Sequence, residues 1–261
     1  MNLSGHAGSL HTRAWERDDP SHVVVIAHGY GEHIGRYEHV AEAFREDGAS
    51  VFGLDHAGHG QSDGERALIA DFDLVAEDLH GLVEAVRGDR PVVLVGHSMG
   101  GLVATRYAQR HGDVLAGLVL SAPLVGNPGT GVLLGMDPLP EIPIDTTVLS
   151  RDEEVQRAYA EDPLVYHGGF KRPTLAAFAQ ALLDSALDAP RITGPVLWLH
   201  GEDDQLVPMA GSRRLIELLV NAEVTERIYP GARHEVFNET NRDEVLADAR
   251  SFIESCRTAA R

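Results

Sequence analysis

The chain has 261 residues, of which 43% are hydrophobic and 24% are charged, a composition that is ordinary for a soluble globular protein with a sizeable core. Its formal net charge of −18 excludes nucleic acid as an expected partner and opposes electrostatic docking to anionic lipid, because both need basic patches. A single cysteine, Cys256, excludes a disulfide framework and any cysteine-based metal cluster.

Short apolar runs alternate with helical patterns along the chain. A weakly alternating segment at residues 9–17 favours an antiparallel edge strand. Further strands are predicted at residues 23–27, 50–54, 92–95, 118–121 and 196–200. Helices are predicted at residues 37–47, 72–87 and 102–109, and a last helix at the apolar stripe from Val245 to Cys256. Because continuous apolar runs suit parallel strands covered on both faces, the order predicts a mostly parallel α/β sheet with helices on both faces.

The alternation stops between Pro123 and Ile192, where about seventy residues replace a crossover of ordinary length. A capping box from Ser150 to Glu153 is expected to begin one helix there. A second helix has a predicted apolar face formed by Leu175, Phe178, Ala179, Leu182 and Leu183. We therefore expect a core domain of residues 1–123 and 193–261 and a cap, or lid, of residues 124–192 above the carboxyl ends of the strands. The alternative is a structural excursion unrelated to access.

The strand predicted at residues 92–95 runs directly into Gly96-His97-Ser98-Met99-Gly100, and a helical pattern follows at once. This is the context of a nucleophile elbow, in which a serine lies on a sharp strand-to-helix turn. The turn strains the backbone and brings segments close together, so it needs residues without a Cβ on either side of the serine. Ser98 is therefore the predicted nucleophile. The alternative is a glycine-rich turn of another α/β protein.

A serine nucleophile needs an adjacent base, and the base needs an acid that orients it. In proteins with this elbow, the chain order is serine, acid, histidine. Three carboxylates, Glu202, Asp203 and Asp204, follow the strand predicted at residues 196–200, and only His234 lies beyond them. Elimination thus predicts His234 as the base and leaves the acid as one of these three.

Two backbone N–H groups should also face the oxygen on which negative charge develops. Met99 follows the nucleophile and opens a helix, whose dipole favours an anion. The second donor is expected in the glycine-rich loop at residues 28–33, where Tyr30 is the predicted donor. A phosphate-binding loop is the alternative, but these glycines do not have the spacing of G-x-G-x-x-G.

The loop at residues 55–64 is rich in glycine and histidine. A metal site at Asp55, His56 and His59 is conceivable there, but no further ligand follows at a suitable spacing. A structural loop that shapes the nucleophile elbow is the favoured interpretation. We expect neither a metal nor a cofactor.

Together, these motifs resemble the α/β-hydrolase fold and, more narrowly, the monoacylglycerol lipases of bacterial, actinobacterial type. The resemblance rests on residues 28–37, 55–62, 96–101, 204–208 and 229–239, with 147–152 and 162–165 in the expected cap. It implies a serine hydrolase that releases a fatty acid and glycerol from a monoacylglycerol through an acyl-serine intermediate.

The resemblance also implies roles for single residues. It places the triad acid at Asp204 and the oxyanion donors at Tyr30 and Met99. Contacts to the glycerol head would come from Glu32, Arg36 and His97. Mammalian members carry a histidine three residues after the triad histidine, where this chain has Phe237, so glycerol recognition is expected to differ.

Members of this family meet lipid with an apolar cap, and residues 132–136 fit that role. This implies transient contact with a membrane or lipid droplet. The alternative is that this run packs on its own cap. No signal peptide or membrane-spanning apolar stretch is visible, which predicts a cytoplasmic protein with peripheral membrane contact at most. The sequence predicts no oligomeric state.

Other functions fit the same motifs. A broader carboxylesterase or lysophospholipase would use the same triad on other acyl esters. A non-catalytic protein of this fold would bind an apolar ligand under its cap. An aminopeptidase would need a cluster of cap acids to hold the substrate amine. The candidate acids, Glu153, Glu154, Glu161 and Asp162, follow the pattern of a helix surface.

Overall fold

A mostly parallel sheet forms the centre of the molecule. The computed structural model describes residues 3–126, 129–141 and 143–259, and within them seven strands form one sheet in the order β3-β5-β4-β6-β7-β8-β9. The strands are β3 (Thr12–Trp15), β4 (His22–Ala27), β5 (Ala49–Leu54), β6 (Val92–His97), β7 (Leu115–Ser121), β8 (Gly194–Gly201) and β9 (Ala222–Tyr229). Among the described strands of this sheet, only β3 pairs antiparallel, with β5. A separate antiparallel hairpin joins β1 (Leu3–Gly5) to β2 (Gly8–Leu10).

Helices cover both faces of this sheet. The α-helices of the described residues are α1 (Glu38–Glu46), α2 (Phe72–Arg87), α3 (Met99–His111), α4 (Gly129–Leu134), α5 (Glu153–Glu161), α6 (Arg172–Leu187), α7 (Met209–Ile216) and α8 (Arg242–Ala259). One core cluster packs α1 and α8 against the sheet, and another packs α2, α3 and α6 against the opposite face. The predicted fold class is confirmed, and the edge strand expected within residues 9–17 is β3.

Neither β9 nor the short helix α7 was predicted from the sequence. The sequence of β9, AEVTERIY, carries no apolar run because β9 lies at the edge of the sheet and pairs only with β8 among the described strands. The short helix α7 buries only Ser212, Leu215 and Ile216. Polar edge elements of this kind give weak periodic signals.

The segment between β7 and β8 holds three α-helices in its described part, where two were predicted. The additional helix is α4, which begins directly after residues 127 and 128 of the glycine-rich stretch, and these lie outside the described residues, as does residue 142. The predicted capping box was wrong, because Asp152 caps α5 through the N–H of Glu154. The Ser150 hydroxyl instead donates to the carbonyl of Asn238.

Helix α6 packs on the core along part of its predicted apolar face. Leu175 and Phe178 are buried, and the Phe178 ring lies 4.8 Å from that of Phe72. Leu183 was predicted on this face, but it is exposed because α6 meets the core along a narrower stripe. No helix in the described part of the chain is long and apolar enough to cross a membrane.

Candidate active site

Ser98 lies on the turn between β6 and α3. Its backbone has φ 53° and ψ −117°, a region that non-glycine residues rarely adopt. The turn is held on both sides, since the Ser98 N–H donates to Ser121 O at 2.9 Å and Ser98 O accepts from the N–H of Leu124 at 2.9 Å. These bonds fix the strained serine at the carboxyl end of the central strand.

The flanking glycines are required by close backbone contacts. A Cβ at Gly96 would lie 2.3 Å from Gly100 O, and a Cβ at Gly100 would lie 2.1 Å from Ala27 O. Neither contact can be relieved by rotating a side chain, because both involve backbone atoms. The elbow motif therefore reflects the packing of α3 against β4 and β6.

The His234 imidazole meets the Asp204 carboxylate. Nδ1 of His234 lies 2.8 Å from Oδ2 of Asp204, and both side chains are buried. Oδ1 of Asp204 accepts from the N–H groups of Leu206 and Val207, at 2.9 Å and 2.8 Å. Of the three candidate acids, Glu202 and Asp203 are exposed, so the structure brings only Asp204 to the histidine.

Electrostatics keep Asp204 ionised and favour a proton on His234. Burial alone would raise the pKa of Asp204, but the charges and hydrogen bonds of His234 and His200 outweigh it and hold that pKa well below its usual range. Burial lowers the pKa of His234, yet nearby Asp204, Glu235 and Glu32 outweigh this and raise it above 6.5. Such a pair suits a base that must become an imidazolium.

A second buried histidine supports the acid. His200 Nδ1 accepts from the indole N–H of Trp198 at 3.1 Å, so the ring proton is on Nε2. This Nε2 donates to Val207 O at 2.9 Å and lies 3.2 Å from Asp204 Oδ2. The hydrogen bonding of His200 thus extends to the acid.

The glycine-rich loop after β4 faces the serine. His28 Nε2 accepts from the N–H of His56 at 3.0 Å, so its Nδ1 carries the proton and donates to Gly29 O at 2.8 Å. Because a trans peptide is planar, the Tyr30 N–H points away from this anchored carbonyl. A Cβ on Gly29 would lie 3.4 Å from the Ser98 Cβ, which places this peptide beside the nucleophile.

The loop after β5 supports the loop after β4. Asp55 accepts from the N–H groups of Ile34 and Gln61, both at 2.8 Å. The His56 and His59 rings lie 4.3 Å and 5.6 Å from the His28 ring. Within the described ranges, no group of three histidine, cysteine or acidic side chains could hold a metal ion.

Ser98 and His234 line one cavity of about 170 Å³. Met99, the first residue of α3, directly follows the serine in the chain. Most of the remaining wall is apolar and includes Leu133, Leu149, Tyr159, Phe170, Leu175, Phe178 and Val207. Much of this wall comes from the segment between β7 and β8. The cavity thus joins a nucleophile and base to an apolar chamber.

Comparisons with known proteins agree with this geometry. Residues 18–241 match the family described as serine aminopeptidase, S33. A monoacylglycerol lipase of Mycolicibacterium smegmatis is 41% identical over 92% of this chain and 91% of its own length. The human monoglyceride lipase is 35% identical over 88% of this chain and 81% of its own. The chain belongs to the monoacylglycerol lipase family.

A solved structure of a family member supports the same assignment. The crystal structure of the Paleococcus ferrophilus monoacylglycerol lipase superposes with a TM-score of 0.83 at 30% identity, and the match covers 95% of this chain and 99% of that one. The predicted resemblance to this lipase family and the α/β-hydrolase fold are both confirmed.

Of the three residues expected to contact the glycerol head of the substrate, two line the cavity and one does not. Glu32 and His97 line the cavity, and the His97 ring lies 4.8 Å from the His234 ring. Burial, together with nearby His234, lowers the pKa of His97 to about 4, so its ring is neutral near pH 7. Arg36 does not appear among the described residues of the cavity wall, in contrast to the expectation.

Arg36 is occupied by two buried carboxylates. Its Nη1 donates to Glu32 Oε2 at 2.5 Å and to Glu235 Oε1 at 2.8 Å, and its Nη2 donates to Glu235 Oε2 at 2.7 Å. Glu235, which was not predicted from the sequence, also lines the cavity. Its only signal was its position next to His234. Phe237 packs in the core beside α1 and α8.

Proposed function

We propose that this chain is a monoacylglycerol lipase that cleaves its substrate to a free fatty acid and glycerol. One observation carries the proposal: a single cavity places Ser98 and His234 between buried carboxylates and an apolar chamber. This shape matches an ester whose alcohol is small and polar and whose acyl group is apolar. The shared family supports the same activity.

In the acylation half of the reaction, His234 Nε2 takes the Ser98 hydroxyl proton while Oγ attacks the ester carbonyl carbon. The N–H groups of Tyr30 and Met99 donate to the resulting oxyanion. Asp204 stays ionised and stabilises the imidazolium through Nδ1. The imidazolium then gives its proton to the departing glycerol oxygen, which leaves the acyl group on Ser98.

In the deacylation half, a water molecule takes the place of glycerol. His234 removes one of its protons, and the oxygen attacks the acyl carbon. The second tetrahedral intermediate uses the same two N–H donors. It collapses as His234 returns the proton to Ser98 Oγ, and the fatty acid is released.

The charge at the polar end of the cavity favours a neutral headgroup. Glu32 and Glu235 carry two negative charges there, and Arg36 supplies one positive charge that both already use. No uncommitted guanidinium is thus offered to a phosphate at this end of the described cavity wall. This net negative charge would repel a phosphate, whereas it does not repel an uncharged glycerol group. This favours glycerol over the lysophospholipid alternative.

The exposed acids beyond β7 support an ester substrate over a peptide. Glu153, Glu154 and Glu161 lie at the surface of α5, away from the cavity wall as described. They therefore offer no cluster that could hold a substrate amine. Asp162 pairs with His33, and the two acids of the cavity wall, Glu32 and Glu235, already pair with Arg36. A lipid ester is the substrate class that both the cavity and the relatives support.

We also propose that residues 124–192 act as a cap and that its outer surface touches lipid. Val132, Met136, Leu183 and Leu187 are large apolar residues exposed on this segment, while Leu133 of the same apolar run lines the cavity. With a net charge of −18, such peripheral contact would depend on apolar burial rather than on attraction to anionic headgroups.

A comparison of matched oleoyl esters tests the activity. We expect hydrolysis of 1-oleoylglycerol to exceed that of 1-oleoyl lysophosphatidic acid by about 100-fold or more, since like-charge contact costs several kcal/mol. Ser98→Ala should abolish both hydrolysis and labelling by a fluorophosphonate. Equal rates on the two lipids, or labelling that persists in the variant, would overturn the proposal.

A further inference from the structure

A buried carboxylate that the triad does not use follows the base directly in the chain. Both oxygens of Glu235 accept from Arg36, and Oε2 also accepts from the Asn238 side chain at 2.8 Å. The Glu235 N–H donates to Leu149 O at 2.7 Å. With its oxygens already committed, this carboxylate is a partner of Arg36 rather than a free ligand for a headgroup.

Arg36 connects this carboxylate to the loop after β4. Its other acceptor, Glu32, receives the Gly29 N–H at Oε1 at 2.6 Å and the Tyr37 hydroxyl at 2.6 Å. Gly29 is the residue whose carbonyl precedes the Tyr30 N–H. A continuous series of hydrogen bonds thus runs from Glu235, the residue after His234, to Gly29, whose carbonyl belongs to the peptide that presents the oxyanion donor.

The charges of this series do not cancel. Burial raises the pKa values of Glu235 and Glu32, but Arg36 outweighs it and holds both below their usual range. Burial likewise opposes the charge on Arg36, yet the two carboxylates raise its pKa well above its usual value. Two anions and one cation leave one negative charge near His234.

Other groups also face His234 and Glu235. Asp204 is the second anion beside the imidazole, and His97 is neutral near pH 7 because burial lowers its pKa to about 4. From α5, the Tyr159 ring lies 4.8 Å from the Arg36 guanidinium, and burial raises the pKa of its hydroxyl, so it stays neutral. Glu235 can therefore be altered without touching Asp204.

We propose that Glu235 is a positioning residue for the hydrolytic reaction. Through Arg36 and Glu32, Glu235 holds the oxyanion-donating peptide in place relative to His234. The proposal rests on the proposed function, because it assumes the roles of Ser98, His234 and Tyr30. The uncompensated charge of the series also supports the imidazolium that forms in each half of the reaction. Glu235 acts through Arg36 and contacts no reacting atom.

Glu239 provides a matched control on the same loop. It is also buried and paired with an arginine, since its Oε2 lies 2.8 Å from Nε of Arg151. It accepts further bonds from the N–H groups of Arg233 and Thr240. Glu239 does not occur among the described residues of the cavity wall, so its loss should affect stability alone.

The experiment compares Glu235→Gln with Glu239→Gln in the full chain, on 1-oleoylglycerol and on p-nitrophenyl butyrate. For Glu235→Gln, kcat should fall about 10- to 100-fold on both esters with KM little changed, because a misplaced N–H donor stabilises the transition state less well. The acidic limb of its pH profile should move to lower pH, since removing a nearby anion makes His234 easier to deprotonate. Glu239→Gln should lower Tm without moving that limb.

Three outcomes would overturn the proposal. They are a Glu235→Gln variant with wild-type kcat and acidic limb, one that raises only KM for the glyceride, and one that matches Glu239→Gln in every readout. Should Glu235→Gln not fold, Glu235→Asp decides the matter: it keeps the charge but shortens the reach to Arg36, so kcat must fall while the limb stays in place. Because p-nitrophenyl butyrate lacks glycerol, it reports on Glu235 even if the lipase proposal fails.

Discussion

His234 and Asp204 are joined by a hydrogen bond of 2.8 Å across thirty positions of sequence. The acid comes from the turn after β8, and the base comes from the loop before α8. Because β8 and β9 pair in parallel along their whole length, the two turns emerge at the same edge of the sheet. The sheet register therefore brings this pair to Ser98.

Substitution of Asp204 should impair catalysis far more than substitution of the neighbouring acid. We expect Asp204→Asn to reduce kcat by about 10,000-fold with the fold intact, because an amide no longer stabilises the imidazolium or selects its tautomer. Asp203→Asn, at an exposed position one residue away, should stay within about twofold of wild type, as surface substitutions usually do. Steady-state rates on p-nitrophenyl butyrate measure both. A larger loss of kcat in Asp203→Asn than in Asp204→Asn would show that the assignment of Asp204 as the acid is wrong.

The glycines of the elbow should be intolerant of a single methyl group. Gly100→Ala places a Cβ 2.1 Å from Ala27 O, which only a backbone shift can relieve. We expect loss of activity and a fall in stability of about 1–3 kcal/mol or more. Gly112→Ala is the control, since no atom lies within 4 Å of its Cβ, and it should be neutral or slightly stabilising. Urea unfolding and esterase rates test both, and an active, stable Gly100→Ala would contradict the packing argument.

Buried histidines should make the protein sensitive to mild acid. Burial lowers the pKa values of His28, His56, His59 and His97 below 6.5, for the last two to about 4. Between these pH values the unfolded chain binds more protons than the folded one, so stability is lost as the pH falls from 6.5 towards 4. His59 and His97 would each account for up to about 3 kcal/mol.

Chemical denaturation at about pH 7 and about pH 5 measures this loss. His59→Asn should reduce the difference between the two pH values, because an amide can replace the ring donor to Ala57 O without titrating. His167→Asn, at an exposed histidine, should leave the difference unchanged. Equal pH dependence in the wild type and in His59→Asn would exclude His59 as a source of acid sensitivity.

The outer surface of α6 should affect binding to and hydrolysis of aggregated lipid, but not hydrolysis of a soluble ester. Leu183 and Leu187 are 63% and 79% exposed. Changing both to serine should weaken flotation with neutral vesicles and slow hydrolysis of dispersed 1-oleoylglycerol, while the rate on soluble p-nitrophenyl butyrate stays within about twofold. Val220→Ser is the control because Val220 is 70% exposed outside residues 124–192. Unchanged flotation of the double variant would rule out this lipid contact.

Much of the fold follows from patterns that are local in the sequence. Strands β4, β5 and β6 are continuous apolar runs because helices cover both faces of the sheet. The edge strand β9 gives no such run because half of its surroundings are solvent. The capping signal at Ser150 failed for a different reason. The helix begins at Glu153, so the cap falls to Asp152, while the Ser150 hydroxyl accepts from the Asp152 N–H and donates to Asn238 O.

The sequence by itself determined the predictions of Ser98 and His234. The elbow is a local steric requirement of one strand-to-helix turn, and chain order leaves a single histidine after the late carboxylates. From the residues alone, three acids remained equivalent, and only tertiary structure buries Asp204 against the imidazole. The same applies to Arg36, whose partner Glu235 lies 199 positions away. The interaction between two charges depends on the distance between them. For residues far apart in the chain, the tertiary structure sets that distance, and no short segment of sequence reveals it.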